Sequence, residues 1–111
     1  MFIAMNRFRV NEGMEDTFEE MWRSRETYLQ EVPGFVEFSL LRNGEQAEDK
    51  ATEYISHSTW ASREDFEAWT QSEAFTRGHA QGSVQGVLAG HPVVSLYDTV
   101  LHQAKSAAGS H

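Results

Sequence analysis

Cysteine is absent from all 111 residues, which excludes disulfide frameworks, thiolate metal clusters and cysteine nucleophiles. A reducing compartment is thereby permitted, and a soluble cytoplasmic protein is the simplest expectation. Cationic side chains are scarce: 9 Lys and Arg stand against 17 Asp and Glu, a formal net charge of −8. A surface of that sign repels phosphate backbones and anionic headgroups, so neither nucleic acid nor a membrane surface is an expected partner. No apolar run approaches the roughly 20 residues of a membrane span, and no basic segment leading into an apolar one resembles a secretory signal. The chain also has no GxSxG elbow, Walker-type loop or HExxH helix, so metal-hydrolase and nucleotide-binding readings fall away. Its many carboxylates lie mainly on helix faces and in the connection 46–50, where solvation is their expected role.

Enough remains for one domain and one core. A chain of this length buries about two-thirds of the surface it exposes when unfolded. We expect the domain over residues 1–102, followed by a small polar tail, QAKSAAGSH, over 103–111. Residues 2–10 alternate, with Phe2, Ala4, Asn6, Phe8 and Val10 on one face, which is the period of a strand. From Glu12 to about Gln30 the apolar positions recur at helical spacing, with Glu12, Glu15 and Asp16 placed to complement the helix dipole, and Pro33-Gly34 stops the run. FVEFSLLR over 35–42 and the alternating segment 52–60 read as antiparallel strands joined by the charged stretch NGEQAEDKA.

Ser62 with Asp65 three residues on resembles a capping box and predicts a short helix through Trp69. Ser72-Glu73 predicts a second helical piece, with a kink near 70–72. Glycines recur at 78, 82, 86 and 90, which predicts fraying and a mobile loop ahead of His91-Pro92, and residues 93–102 alternate as the last strand. The order βαββαβ is the ferredoxin-like α+β arrangement, an antiparallel sheet with both helices on one face. Because the second and last strands are apolar on both sides, the other face needs cover. A homodimer packed sheet to sheet into a dimeric barrel is the expectation.

Three stretches then carry a resemblance: MNRFRVNEGMEDTFEEMWRSR, VPGFVEFSLLR and STWASREDFEAWTQSEAFTRGH. Together, over residues 2–102, they resemble the Isd-type haem-degrading monooxygenases of the antibiotic-biosynthesis-monooxygenase superfamily of dimeric α+β barrels. The resemblance implies a functional triad of Asn6, Trp69 and His79. It also implies oxidative opening of the haem ring with iron release, using O2 and an external electron donor such as a reductase, with haem as both substrate and cofactor. His79 would be the axial ligand of the haem iron, since a neutral imidazole suits that role. Asn6 would orient oxygen through an amide that does not titrate, and Trp69 would press the porphyrin out of plane. Trp22 would lie beside the haem and Arg25, one helical turn on, would meet a propionate, while Met21 stands where some relatives carry a basic residue.

Each residue also has a plainer reading. A buried Asn is more often a satisfied structural group, a Trp beside Phe66 is more often core, and His57, His91, His102 and His111 compete with His79. Two other functions remain open. One is a cofactor-independent oxygenase of the same superfamily acting on a quinol or polyphenol, which would use Asn6 and Trp69 and leave His79 unligated. The other is a non-enzymatic barrel that binds a small apolar ligand.

Overall fold

A computed structural model describes residues 1–25, 29–72 and 86–105. Four strands form one antiparallel sheet: β1 (Phe2–Val10), β2 (Phe35–Arg42), β3 (Thr52–Trp60) and β4 (Val93–Asp98), in the order β2-β3-β1-β4. Helix α1 (Glu15–Ser24) follows β1, a single 3-10 turn spans Leu29–Glu31, and helix α2 (Arg63–Thr70) follows β3. This is the ferredoxin-like α+β fold. The two central strands are those whose alternation is cleanest, and β1, β2 and β3 begin and end where the sequence pattern predicts.

Both helices lie on the same side of the sheet. Phe8 of β1 faces Tyr54 of β3 in the register, and Phe18 of α1 packs on both; Phe2 faces Trp60, and Phe66 of α2 packs on both. Phe2, Phe8, Tyr54 and Trp60, with Val10, are all buried, and the core divides into two aromatic clusters, one at each end of the sheet. Between them the register sets Ala4 against Ser58 and Asn6 against Ser56. Large, small, small, large is therefore the order along the helix-facing side of β1 and β3. The small residues leave a hollow that the clusters do not fill.

Three boundaries differ from the sequence expectation, each for a local reason. Helix α1 starts at Glu15, not Glu12, because residues 11–14 form a turn: the Met14 amide donates to the Asn11 carbonyl at 3.0 Å, and Gly13 takes φ +87°. It ends at Ser24, whose hydroxyl donates back to the Glu20 carbonyl at 2.9 Å, and Arg25 leaves in an extended conformation. Leu29 accordingly sits in the separate 3-10 turn. Strand β4 ends at Asp98, not His102, because its partner β1 begins at Phe2, opposite Asp98. Beyond that point only the Thr99 amide still reaches β1's chain, donating to the Met1 carbonyl at 2.9 Å, and among the described residues no strand continues the pairing, so Val100 and Leu101 are exposed.

The described part of the glycine-rich segment is not a loose loop. Leu88 bridges Val10, the Asn11 amide donates to the Val87 carbonyl at 2.8 Å, and the Ala89 amide donates to the Arg9 carbonyl at 2.8 Å. Val87 is 1% exposed within the Phe8 cluster, so a buried valine anchors the stretch along the edge of β1 that β4 also uses. The expected second helical piece after Ser72, and the last residues of the tail, lie outside the described residues.

Candidate active site

The hollow between the two clusters is a cavity of about 260 Å³. Its floor is the small quartet Ala4, Asn6, Ser56 and Ser58 on β1 and β3. Trp22 of α1 and Phe38 of β2 wall one side, Phe66 and Trp69 of α2 the other, and Leu29, Arg25, Thr70 and Val94 complete the lining with Met5. Each wall comes from a pattern in the sequence. The helix-facing period of α1 brings Trp22 against Phe8 and Phe18, at 5.9 and 6.3 Å between ring centroids. Ser62 caps α2 by accepting the Asp65 amide at 3.1 Å, which fixes the start of that helix. Trp69 then lies against Trp60, with centroids 5.2 Å apart, and against Phe66 at 6.1 Å.

The expected capping box is half made. The Asp65 carboxylate accepts from the Ser62 hydroxyl at 3.0 Å in place of the Ser62 amide. Gly34, at φ +82°, passes so close to Asp65 that any Cβ there would overlap its side chain. This close approach joins the start of β2 to the start of α2.

Asn6, Trp22, Arg25 and Trp69, four of the five residues singled out from sequence, line this one cavity. His79, the fifth, lies outside the described residues. Asn6 has its side-chain oxygen buried with no hydrogen-bond partner among the described residues. Such a group ordinarily costs about 1–3 kcal/mol, which a bound ligand or water can return. Trp22 is stacked on Phe38, centroids 5.5 Å apart and planes inclined by 22°, and the Arg25 guanidinium lies 4.5 Å from the Trp22 ring centre. Partial burial lowers the Arg25 pKa from its usual value, but a guanidinium remains charged. Arg25 is the cap residue after α1 and not a member of the helix, so it reaches Trp22 from an extended backbone.

Phe38, Ser56 and Ser58 were missed as site residues by sequence reasoning. The signal was present on β3: two serines between Tyr54 and Trp60 on a buried face mark a place where packing is deliberately thin. It becomes legible only once the register places Ala4 and Asn6 opposite them.

A second hollow adjoins the first behind Trp22 and Phe38 and holds an ionic cluster. Tyr54 donates a short hydrogen bond to the Glu19 carboxylate, which also accepts from Arg42 at 3.0 Å and Arg23 at 3.1 Å. The Tyr54 bond and then the two arginines hold the Glu19 carboxyl below the ordinary range, against the opposing effect of burial. Burial, and next the hydrogen bond to Glu19, push the Tyr54 phenol well above its usual value. No group of three or more His, Asp or Glu side chains among the described residues is arranged to hold a metal ion.

Comparison with known proteins agrees with this fold. The sequence model of a family described as antibiotic biosynthesis monooxygenase matches residues 1–81. A comparison with curated proteins finds no match. Among solved structures, a putative antibiotic biosynthesis monooxygenase from Bacillus cereus is 21% identical, covering 95% of this chain and 96% of that one at a TM-score of 0.75. The haem-degrader MhuD from Mycobacterium tuberculosis, with two haems in its active site, is 25% identical over 94% of this chain and 100% of its own, at a TM-score of 0.72. SnoaB from Streptomyces nogalater, a cofactor-independent oxygenase, is 19% identical over 94% and 97%, at a TM-score of 0.65.

Proposed function

The chain belongs to the antibiotic biosynthesis monooxygenase family, and from that premise we propose that it degrades haem, opening the porphyrin ring and releasing iron with O2 and electrons from an external donor. The observation that carries the reading is the lining of the cavity: flat aromatic walls, one guanidinium, and one buried amide with an unpaired oxygen. These residues fit a large planar ligand with acidic edges. Haem, as the substrate, supplies the iron centre at which oxygen is activated. The chain's own residues then have separable tasks. Trp22 and Trp69 would pack against the ring and press it out of plane, and Arg25 would pair with one of its carboxylates. Asn6 donates or accepts a hydrogen bond above the ring without changing charge over any working pH. By the sequence resemblance His79 would bind the haem iron.

One observation favours a second reading. A volume of about 260 Å³ lies just below the usual range for ligand sites of roughly 300–1,000 Å³, a size suited to a tricyclic polyphenol. A cofactor-independent oxygenation of a quinol would use the same walls and Asn6, and would leave His79 idle. Titration with ferric haem separates the two. The proposal expects a shifted Soret band saturating at one haem per chain and lost in His79→Ala. A flat titration of the wild type removes haem as the substrate.

A further inference from the structure

We infer that Ser56 is a second ligand-contacting residue, which with Asn6 forms a two-point hydrogen-bonding floor that holds the oxygen-bearing group of a flat aromatic ligand. The inference rests on the oxygenase reading of the cavity and sharpens what that cavity selects. Three hydroxyls line it, those of Ser56, Ser58 and Thr70. Two of them are already engaged within the protein. Ser58 accepts the Trp60 indole N–H at 3.0 Å and sits 3.4 Å from the Ala4 carbonyl, and Thr70 donates to the Glu67 carbonyl at 2.7 Å. Ser56 makes no side-chain hydrogen bond to any described residue.

Ser56 stands directly across from Asn6 in the β1/β3 register. Side chains so paired have Cβ atoms about 4.5–5.5 Å apart, so a hydroxyl and an amide there reach the same ligand atom. Neither spends its capacity on the other, since the Asn6 oxygen has no partner among the described residues. The buried Asn6 oxygen is costly unless something occupies it, and the half-buried Ser56 hydroxyl beside it lines the same cavity and is open to the same occupant. Both a hydroxyl and an amide can donate and accept, so the floor suits an oxygen function and selects little for its protonation state. That oxygen belongs either to a small molecule carried on the face of haem or to a ring carbonyl or hydroxyl of a polycyclic phenol.

Two probes distinguish these sources: 1,8-dihydroxyanthrone, followed by quenching of tryptophan fluorescence, and ferric haem followed by cyanide titration of the complex. For whichever probe binds, Ser56→Ala is expected to raise the dissociation constant of the anthrone, or of cyanide at the haem complex, by about five- to tenfold. Ser56→Thr, which keeps the hydroxyl, is expected to stay within about twofold of the wild type. If haem binds and cyanide affinity depends on Ser56, both the inference and the haem proposal stand. If only the anthrone binds, with the same dependence, the inference stands and the haem proposal falls. If haem binds and Ser56→Ala leaves every constant within twofold, the inference is overturned while the haem proposal is untouched; if only the anthrone binds and Ser56→Ala leaves its constant within twofold, both fall. Binding of neither probe overturns both.

Discussion

Asn6 is a polar side chain standing where packing alone would favour an apolar one. On the face it occupies, its neighbours along β1 are Phe2, Ala4, Phe8 and Val10, all buried, and an apolar residue there would remove an unpaired amide oxygen. Asn6→Ala is therefore expected to keep or slightly raise the melting temperature and to retain haem binding, while slowing turnover by roughly 10- to 100-fold if, as proposed, its amide acts on the bound oxygen. Equal loss of binding in Asn6→Ala and His79→Ala would contradict that division of roles. The Glu19-Tyr54 pair makes a separate prediction, for stability against pH. Glu19 holds its proton less tightly in the folded chain than its ordinary 4.5, so it stabilises the fold above that pH and the contribution is lost as pH falls further. Tyr54 holds its proton more tightly than its ordinary 10.0, so its contribution is present below pH 10 and is lost as pH rises beyond it. Urea midpoints should decline on both sides, and Glu19→Gln should flatten the acid side.

Among the elements, strands and helices differed in how much the sequence disclosed. Strands β1, β2 and β3 were legible to the residue, because alternation and the polar hairpin connection are local signals. The sequence pattern makes helix α1 too long at both ends, since its periodicity runs across Gly13 and Arg25 while the helical backbone stops short of both. Strand β4 was overread because its length is set by its partner, which a pattern within one segment does not register. Val87 looked like loop for a similar reason: its burial comes from the distant Phe8 and Phe18 cluster. The cavity itself arises between elements, from the large, small, small, large register of β1 and β3. Filling it from the floor should separate binding from folding. Ala4→Leu is expected to leave the melting temperature within a few degrees, while weakening ligand binding tenfold or more, a comparison that calorimetry and the haem titration provide.

At the scale of the whole molecule, α1 and α2 pack on one sheet face, with Val94 and Leu96 of β4 left exposed there, and the other face presents apolar side chains outward. Leu41, Val93 and Tyr97 alternate with Leu40, Val94 and Leu96 and lie 46%, 56% and 50% exposed. We propose that this face pairs with a second copy, as the two-sided apolar pattern of β2 and β4 leads one to expect. Sedimentation velocity at micromolar concentration should then give two chains per particle and Tyr97→Glu should shift it toward one; a wild-type monomer would count against the pairing. The family and the fold establish a monooxygenase framework, and haem is the substrate we propose for it. The most direct measurement is aerobic turnover: the haem complex is mixed with a chemical reductant in air while the Soret band and released ferrous iron are followed together. The proposal predicts that the band decays with stoichiometric release of iron, and that His79→Ala abolishes both. A Soret band that persists under these conditions, or oxidation of the anthrone without any haem, would contradict it.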